Sequence, residues 1–225
     1  MSGLTIDPAT AGAAFAEQVT AFLAAVEPLD DRQLLAASRC HGWAVLDVVV
    51  HVRGGLEEML RGCTAPTADP PTADAASYWT AAADPVDPVD GILWTRRTAS
   101  AYSRPRRAVR HLRDAADAVL VATRQWADAE HLAGSRVRFQ GHVLTAADFL
   151  ATWAVELAVH QLDLGRDLDV PAPPAAALRL ARATVEALLE RTLPGALGDL
   201  EVLLLGAGRR AVPPELTGLI RPVLG

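Results

Sequence analysis

Apolar residues recur at intervals of three and four along five stretches of the chain, which is the period of an amphipathic helix. In the first stretch, Phe15, Val19 and Phe22 form the apolar stripe. Asp7-Pro8 precedes it and supplies an N-cap residue and a proline at the first helical position. The pattern predicts long helices at 8–26, at 45–61, from Gly91 or Pro105 to about residue 130, at 146–164 and at 175–192.

The segments between these helices carry other signals. Residues 63–90 predict a long crossover with one helical turn at 77–82, because they contain Pro66, Pro70, Pro71, Pro85 and Pro88. Alternating apolar residues at 134–144 predict a small hairpin or an extended loop. A Pro-rich hinge at 170–174 precedes the last helix, and the remainder, including 201–205, is short and β-prone.

Composition and charge narrow the class of protein. Hydrophobic residues make up 51% of the chain and aromatic residues only 5%, a balance typical of helices rich in Ala and Leu. The net charge of −6 provides no basic surface for nucleic acid. The two cysteines, Cys40 and Cys63, are too few for a disulfide framework, and neither a signal peptide nor a membrane span is evident. We therefore expect a cytoplasmic protein.

Two polar residues stand out in the helix predicted at 146–164. Glu156 and His160 are four residues apart, so their side chains leave one face of that helix a single turn apart. His51, on the helix predicted at 45–61, would add a third ligand to a metal ion held by this pair. Three protein ligands and a vacant position are typical of a catalytic metal, whereas structural zinc is closed by four ligands. The combination favours a metal-dependent enzyme.

Each half of this pattern has another interpretation. The Glu156–His160 pair alone also fits a solvated helix edge, and His51 alone fits a satisfied core histidine. Together they favour metal coordination. Apolar residues flank both segments, so burial would leave the polar side chains with an uncompensated charge unless a metal ion binds them.

Two motifs of the chain are similar to those of a known family: Gly42-Trp43 followed by Asp47 and His51, and Glu156-x-x-x-His160-x-x-Asp163. They resemble the DinB-like superfamily, and above all the metal-binding N-terminal domain of mycothiol-dependent maleylpyruvate isomerases, over residues 8–168. The resemblance implies an all-α fold, a DinB-like four-helix bundle with a long crossover. To this the chain adds a fifth C-terminal helix and a short β-prone tail over 169–225. The resemblance also implies that a divalent metal, usually zinc, is held by His51, Glu156 and His160.

Family members commonly use a small thiol such as mycothiol for transfer or isomerisation. The resemblance thus implies a transferase or isomerase that joins a thiol co-substrate to a small electrophile, with no nucleic-acid or membrane partner. The same site could instead polarise a carbonyl or activate water. A non-catalytic bundle that binds a metal or a small molecule, in a structural or regulatory role, is the alternative, and a homodimer is left open. Family members often carry a further C-terminal α/β domain, and the residues after the fifth helix are too few for one, which would leave part of the substrate site missing.

Asp47 and Asp163 are candidates for orienting the metal-binding imidazoles. Each lies one turn from a predicted ligand, Asp47 before His51 and Asp163 after His160, and a carboxylate commonly holds the second nitrogen of such a histidine. For Asp47 the alternative is a charge at the start of its helix that the helix dipole favours, and the same alternative to an orienting role is left open for Asp163.

Arginines and a cysteine complete the candidates. Arg53 and Arg97, with Arg96, could bind an anionic thiol or a carboxylate substrate through paired hydrogen bonds, and solvated surface positions are the alternative. Cys40-His41 suggests a nucleophilic pair. Adjacent residues point in different directions in most conformations, so a structural cysteine is favoured.

Overall fold

The protein is described by a computed structural model over residues 3–80, 88–126, 132 and 134–224. These residues are mostly helical, with one small antiparallel sheet. The helices are α1 Pro8–Val26, α2 Asp31–Leu34, α3 Val45–Thr64, α4 Pro88–Ser100, α5 Arg106–Ala122, α6 Ala146–Leu164, α7 Ala175–Leu189 and α8 Asp199–Gly206. The strands are β1 Arg136–Phe139 and β2 His142–Thr145, and single 3-10 turns lie at Ser77–Trp79, Thr123–Trp126 and Pro214–Leu216.

Side-chain caps set the starts of helices α1 and α6. The Asp7 carboxylate accepts a hydrogen bond from the Thr10 backbone N–H at 2.8 Å, and Thr145 Oγ1 accepts one from the Asp148 N–H at 3.0 Å. Each bond satisfies a donor that the first turn of a helix leaves free. The boundaries predicted for these helices, 8–26 and 146–164, are confirmed.

Helix α6 lies at the centre of the packing. It runs along α1 and also contacts α3, α7 and α8, while α3 packs along α5 and α1 touches α5. All residues of α6 except Glu156 and Leu162 are buried. The contacts of α7 with α6 and α1 confirm that the fifth helix packs on the others.

Among the described residues, α1 is long and apolar enough to cross a membrane by length and composition. Half of its apolar window is buried within the protein, where Phe15, Val19 and Phe22 join the core. A core helix of a soluble protein passes the same test, so this is weak evidence for a membrane span.

The β-prone assignment of 201–205 is wrong, because these residues lie in α8. Leucine is a strong helix former, and Val202, Leu203 and Leu205 are buried against neighbouring helices. The last helix of the predicted set also ends early, at Leu189, where Glu190 takes a left-handed conformation.

Of the two starts predicted for the third helix, the one after Pro105 is confirmed by α5, while residues from Gly91 lie in the separate helix α4. The chain turns at 101–105 between them, and Pro105 immediately precedes α5. Helix α5 ends at Ala122, and residues 127–131, the end of the predicted helix, lie outside the described residues. Helix α3 continues past its predicted end to Thr64.

The predicted hairpin is confirmed as β1 and β2, joined by Gln140 and Gly141 with φ of 45° and 78°. Both residues have a positive φ, as the two central residues of a type I′ hairpin turn require. The hairpin is tied to the crossover, because Tyr78 donates a hydrogen bond to the Gln140 side chain. Phe139 packs against Trp153 of α6. Residues 81–87 of the predicted crossover lie outside the described residues.

Candidate active site

The structure brings His51, Glu156 and His160 together between α3 and α6. His51 Nε2 lies 3.4 Å from Glu156 Oε1, and His160 Nε2 lies 3.1 Å from the same oxygen. The ligand atoms of the three residues all lie within 4.8 Å of one another. The helical period explains the pair on α6, and the packing of α3 on α6 supplies His51.

This arrangement fits a divalent metal ion. Bonds of about 2.0–2.2 Å at tetrahedral angles place neighbouring ligand atoms about 3.3–3.6 Å apart. The two nitrogen-to-oxygen distances measured here, 3.1 and 3.4 Å, are close to that spacing. Two imidazole nitrogens and one carboxylate oxygen also form a donor set that zinc accepts. The residues could hold such an ion without movement of the backbone.

The charges of the cluster shift the pKa values of its members. Burial alone would raise the pKa of Glu156, but the charge and hydrogen bond of His160, together with those of His51, lower it below its ordinary value. Burial would lower the pKa of His160, whereas Glu156 and Asp163 raise it well above its ordinary value. Without a metal, Glu156 is therefore a carboxylate between two imidazoles, and a bound cation would replace a proton.

Asp163 holds the second nitrogen of His160. Its Oδ2 lies 3.0 Å from His160 Nδ1, and the aspartate is fully buried. Because a carboxylate can only accept, Nδ1 of His160 donates its proton to Asp163. Nε2 faces Glu156 and, once it loses its own proton, is the nitrogen that could bind a metal. The outer position that the sequence suggested for Asp163 is where the structure places it.

Arg209 anchors Asp163 and was missed by the sequence analysis. Its Nε lies 2.7 Å from Asp163 Oδ1 and its Nη2 lies 3.1 Å from Oδ2, a bidentate ion pair. Arg209 follows α8, where Gly208 adopts a φ of +65° and the Arg209 N–H donates to Leu204 O at 2.8 Å. No local pattern reveals this contact, because the partners are far apart in sequence and Arg209 otherwise reads as a surface arginine.

Cys40 reaches the same carboxylate from the loop before α3. Its thiol donates to Asp163 Oδ2 at 3.1 Å, and Arg209 Nη2 lies 3.7 Å from its sulfur. Cys40, His160 and Asp163 also have their ligand atoms within 4.8 Å of one another. An ion there would lie beside the guanidinium of Arg209, which already neutralises Asp163. The first cluster is therefore the better cation site.

The structure places Asp47 at the start of α3. Its carboxylate accepts a hydrogen bond from the Ala44 N–H at 2.8 Å, which closes the first turn of the helix. The ring of His51 instead meets the edge of Trp43, with centroids 5.4 Å apart.

The two predicted arginines lie in different surroundings. Arg53 lines the cavity beside His51, where its Nη1 donates to Tyr102 Oη and its Nε lies 3.3 Å from Glu57 Oε1. Arg97 is an exposed residue of α4 and does not line that cavity.

A cavity of 790 Å³ opens in front of His51 and Glu156. Its aromatic lining consists of Trp43, Tyr78, Trp79, Trp94 and Trp153. A Cβ atom at Gly55 of α3 would lie 2.3 Å from Trp153 Cη2, so a glycine is needed for this ring to pack there. His160 is almost wholly buried behind the cavity wall. The exposed side of the cluster thus faces an open cavity large enough for a small-molecule ligand.

Fold and site together define a helical protein with a cluster of three potential cation ligands, His51, Glu156 and His160, beside an aromatic cavity. The chain belongs to the family of the mycothiol maleylpyruvate isomerase N-terminal domain, whose model matches residues 15–165.

Solved structures of a mycothiol-dependent maleylpyruvate isomerase and of a mutant of it are similar in fold. Each has a TM-score of 0.56, and the identities are 16% and 15%. Each match covers 90% of this chain and 90% of the other, so little of the solved isomerase lacks a counterpart here. At such low identity the likeness shows the fold alone. No curated protein matches the chain in sequence.

Proposed function

We propose that the protein is a metal-dependent enzyme that activates a small thiol and directs it to a small electrophile, by transfer or isomerisation. The observation that carries this proposal is the convergence of His51, Glu156 and His160 at an open cavity. Membership of the family supports a thiol-dependent isomerase, and mycothiol is the thiol suggested by the names of the solved structures.

His51, Glu156 and His160 would hold a divalent ion, with zinc the best match to two nitrogens and one oxygen. A bound ion supplies an electrostatic field that lowers the pKa of a thiol from its ordinary value of about 8.5 and so favours the thiolate at neutral pH. Asp163 and Arg209 fix the orientation of His160. The aromatic walls of the cavity exclude water from the electrophile.

Arg53 and Arg97 remain proposed anion-binding residues, at different depths. Arg53 lies at the cavity wall, while Arg97 lies on the surface of α4, from which it could meet only an extended substrate. Asp47 contributes by fixing the start of the helix that carries His51.

We further infer that α1, α3, α5 and α6 form a four-helix bundle of the DinB type, within a unit covering residues 8–168. The contacts of α1 with α6, of α3 with α5, and of α3 with α6 support this arrangement. The C-terminal unit, 169–225, contributes Arg209 to the site, so we propose that catalysis needs both units. We expect a cytoplasmic enzyme.

A non-catalytic metal-binding bundle is the competing function. A structural site is usually closed by four protein ligands. Here the exposed side of the three-residue cluster faces a cavity rather than a fourth protein ligand. The open side therefore favours catalysis.

Metal analysis combined with thiol conjugation tests the proposal. We expect purified protein to bind one zinc per chain and to accelerate conjugation of mycothiol to a model electrophile. His160→Ala should lose both properties, because two protein ligands remain and no neighbouring nitrogen replaces the third. Cys40→Ala should keep both, because His160 and Arg209 still satisfy Asp163. Turnover by metal-free His160→Ala protein would refute the metal mechanism.

A further inference from the structure

The main cavity is lined by buried polar groups that have no hydrogen-bond partner, one of which, Arg53 Nε, lies 3.3 Å from Glu57 Oε1 in an ion pair. Among the described residues, six side chains hold a buried nitrogen or oxygen without a hydrogen bond, and five of them line this cavity. The five atoms are Arg53 Nε, Trp79 Nε1, His142 Nε2, Thr152 Oγ1 and Trp153 Nε1. Native proteins rarely leave buried polar groups unpaired, and those they do leave call for an explanation. Their concentration at one cavity points to a ligand that pairs with them.

Thr152 is the clearest of these groups. It is 3% exposed and lies on α6 four residues before Glu156, so both side chains leave the same face of the helix. A threonine within a helix commonly donates to the carbonyl oxygen four residues earlier. Thr20, Thr64 and Thr184 of this protein do so, at 2.9–3.0 Å. Thr152 has no such bond, and rotation about its χ1 angle would turn the hydroxyl towards the cavity without backbone movement.

The hydrogen-bonding character of these unpaired groups indicates which kind of ligand would pair with them. The indole N–H groups of Trp79 and Trp153 can only donate, and the hydroxyl of Thr152 can donate as well. The charge of Arg53 is largely met by Glu57, so the group offers hydrogen bonds more than a free cation. A set of donors beside aromatic walls is complementary to the acceptor oxygen of a flat, unsaturated molecule.

We propose that Thr152, with the indoles of Trp79 and Trp153, forms a subsite for a carbonyl or carboxylate oxygen of the bound electrophile. The inference rests on the proposed function and adds the residues that orient the electrophile. Thr152 lies one helical turn from Glu156, so a substrate held there presents its reacting atoms to the exposed side of the His51–Glu156–His160 cluster.

The test compares Thr152→Val with Thr184→Val. Valine is β-branched like threonine and replaces the hydroxyl, a donor and acceptor, with a methyl group. Both residues are buried, but Thr184 donates to Leu180 O and lies on α7, away from the cavity. We expect Thr152→Val to raise KM for the electrophile roughly tenfold, since one buried hydrogen bond is lost, with unchanged KM for the thiol and unchanged metal content. Thr184→Val should leave both KM values unchanged.

Stability gives a second readout. Removing an unpaired hydroxyl should leave the melting temperature of the free Thr152→Val protein equal or higher, whereas Thr184→Val should lower it. A raised KM for the thiol alone would overturn the proposal, because the subsite would then hold the thiol. Unchanged KM values for both substrates would overturn it as well.

Binding of an unreactive probe separates this proposal from the proposed function. Trans-cinnamate carries acceptor oxygens, and trans-β-methylstyrene has a similar shape without one. We expect trans-cinnamate to raise the melting temperature of the wild-type protein more than that of Thr152→Val, and trans-β-methylstyrene to affect both equally. This result would support the subsite even if thiol-dependent turnover were absent. Equal shifts in both proteins would refute the subsite even if turnover were present.

Discussion

Replacing Arg209 by methionine should weaken the metal site from outside its ligand shell. The substitution keeps an unbranched side chain but removes both hydrogen bonds to Asp163, at 2.7 and 3.1 Å. Asp163 is fully buried, so water does not replace the lost donors without rearrangement. His160 then depends on a carboxylate that is itself poorly held.

The expected loss of stability in Arg209→Met can be estimated from the Arg209–Asp163 ion pair and from the pKa of Asp163. Burial would raise this pKa, but hydrogen bonds from His160 and Arg209 lower it from 3.8 to about 2, which corresponds to stabilisation on the order of 2 kcal/mol. Breaking a buried ion pair costs about 3–5 kcal/mol, and Arg209 is partly exposed, so we expect a loss of about 2–3 kcal/mol. Loss of an outer partner of a metal-binding histidine typically weakens metal affinity about 10–100-fold.

The assay measures zinc affinity by competition with a chromophoric chelator and stability by urea denaturation of the metal-free protein. Arg182→Met is the matched control. Like Arg209, Arg182 is a partly buried arginine of the C-terminal unit, and it bonds Glu186 at 3.0 Å and the carbonyl oxygens of Leu193 and Leu197. Its loss should lower stability without changing zinc affinity.

The contribution of Asp163 to the stability of the fold should change with pH in a defined direction. The lowered pKa of Asp163 means that its stabilisation is fully present above its unfolded pKa of 3.8 and is lost as the pH falls towards about 2. The stability difference between wild type and Arg209→Met should therefore shrink below about pH 4. Equal zinc affinity for wild type and a folded Arg209→Met protein would show that Arg209 does not position His160.

Two further predictions concern packing and reactivity. Gly55→Ala should destabilise the fold by about 1–3 kcal/mol in thermal or urea denaturation, because the new Cβ would lie 2.3 Å from the Trp153 ring, and an unchanged melting temperature would contradict this. Gly54→Ala is the control, since nothing lies within 4 Å of its added Cβ and a helical alanine is favoured by about 0.5–1 kcal/mol. Burial raises the pKa of Cys63 to about 11, so its thiol should resist iodoacetamide near neutral pH and react only after unfolding. Rapid labelling of Cys63 in the folded protein, located by peptide mapping, would show that the thiol is accessible.

Much of the helical framework could be predicted from the sequence, because caps and helical periods are local properties. Asp7-Pro8 and Thr145 define the starts of α1 and α6 without reference to the rest of the fold. The same period places Glu156 and His160 on one face of α6. Motif resemblance, rather than the period, linked this pair to His51.

Local patterns failed where burial by other elements decides the conformation. Residues 201–205 read as a strand by their Val and Leu content, yet they form α8, whose Gly206 packs closely on Val185 of α7. The helical period also left two starts open for the third helix, after Gly91 or Pro105, and only the fold shows that α5 begins after Pro105. A short apolar run fits a strand or a helix equally, and only its partners choose between them.

The sequence by itself determined the helices, the ligand types and the likeness to a family. The tertiary structure decided that Arg209 reaches Asp163, that Asp47 caps α3, and that Thr152 lines the same cavity as Glu156. The physical reason is that helical periodicity acts over a few neighbouring residues. A buried ion pair or a cavity depends instead on how distant helices pack, and no local signal in the chain records that packing.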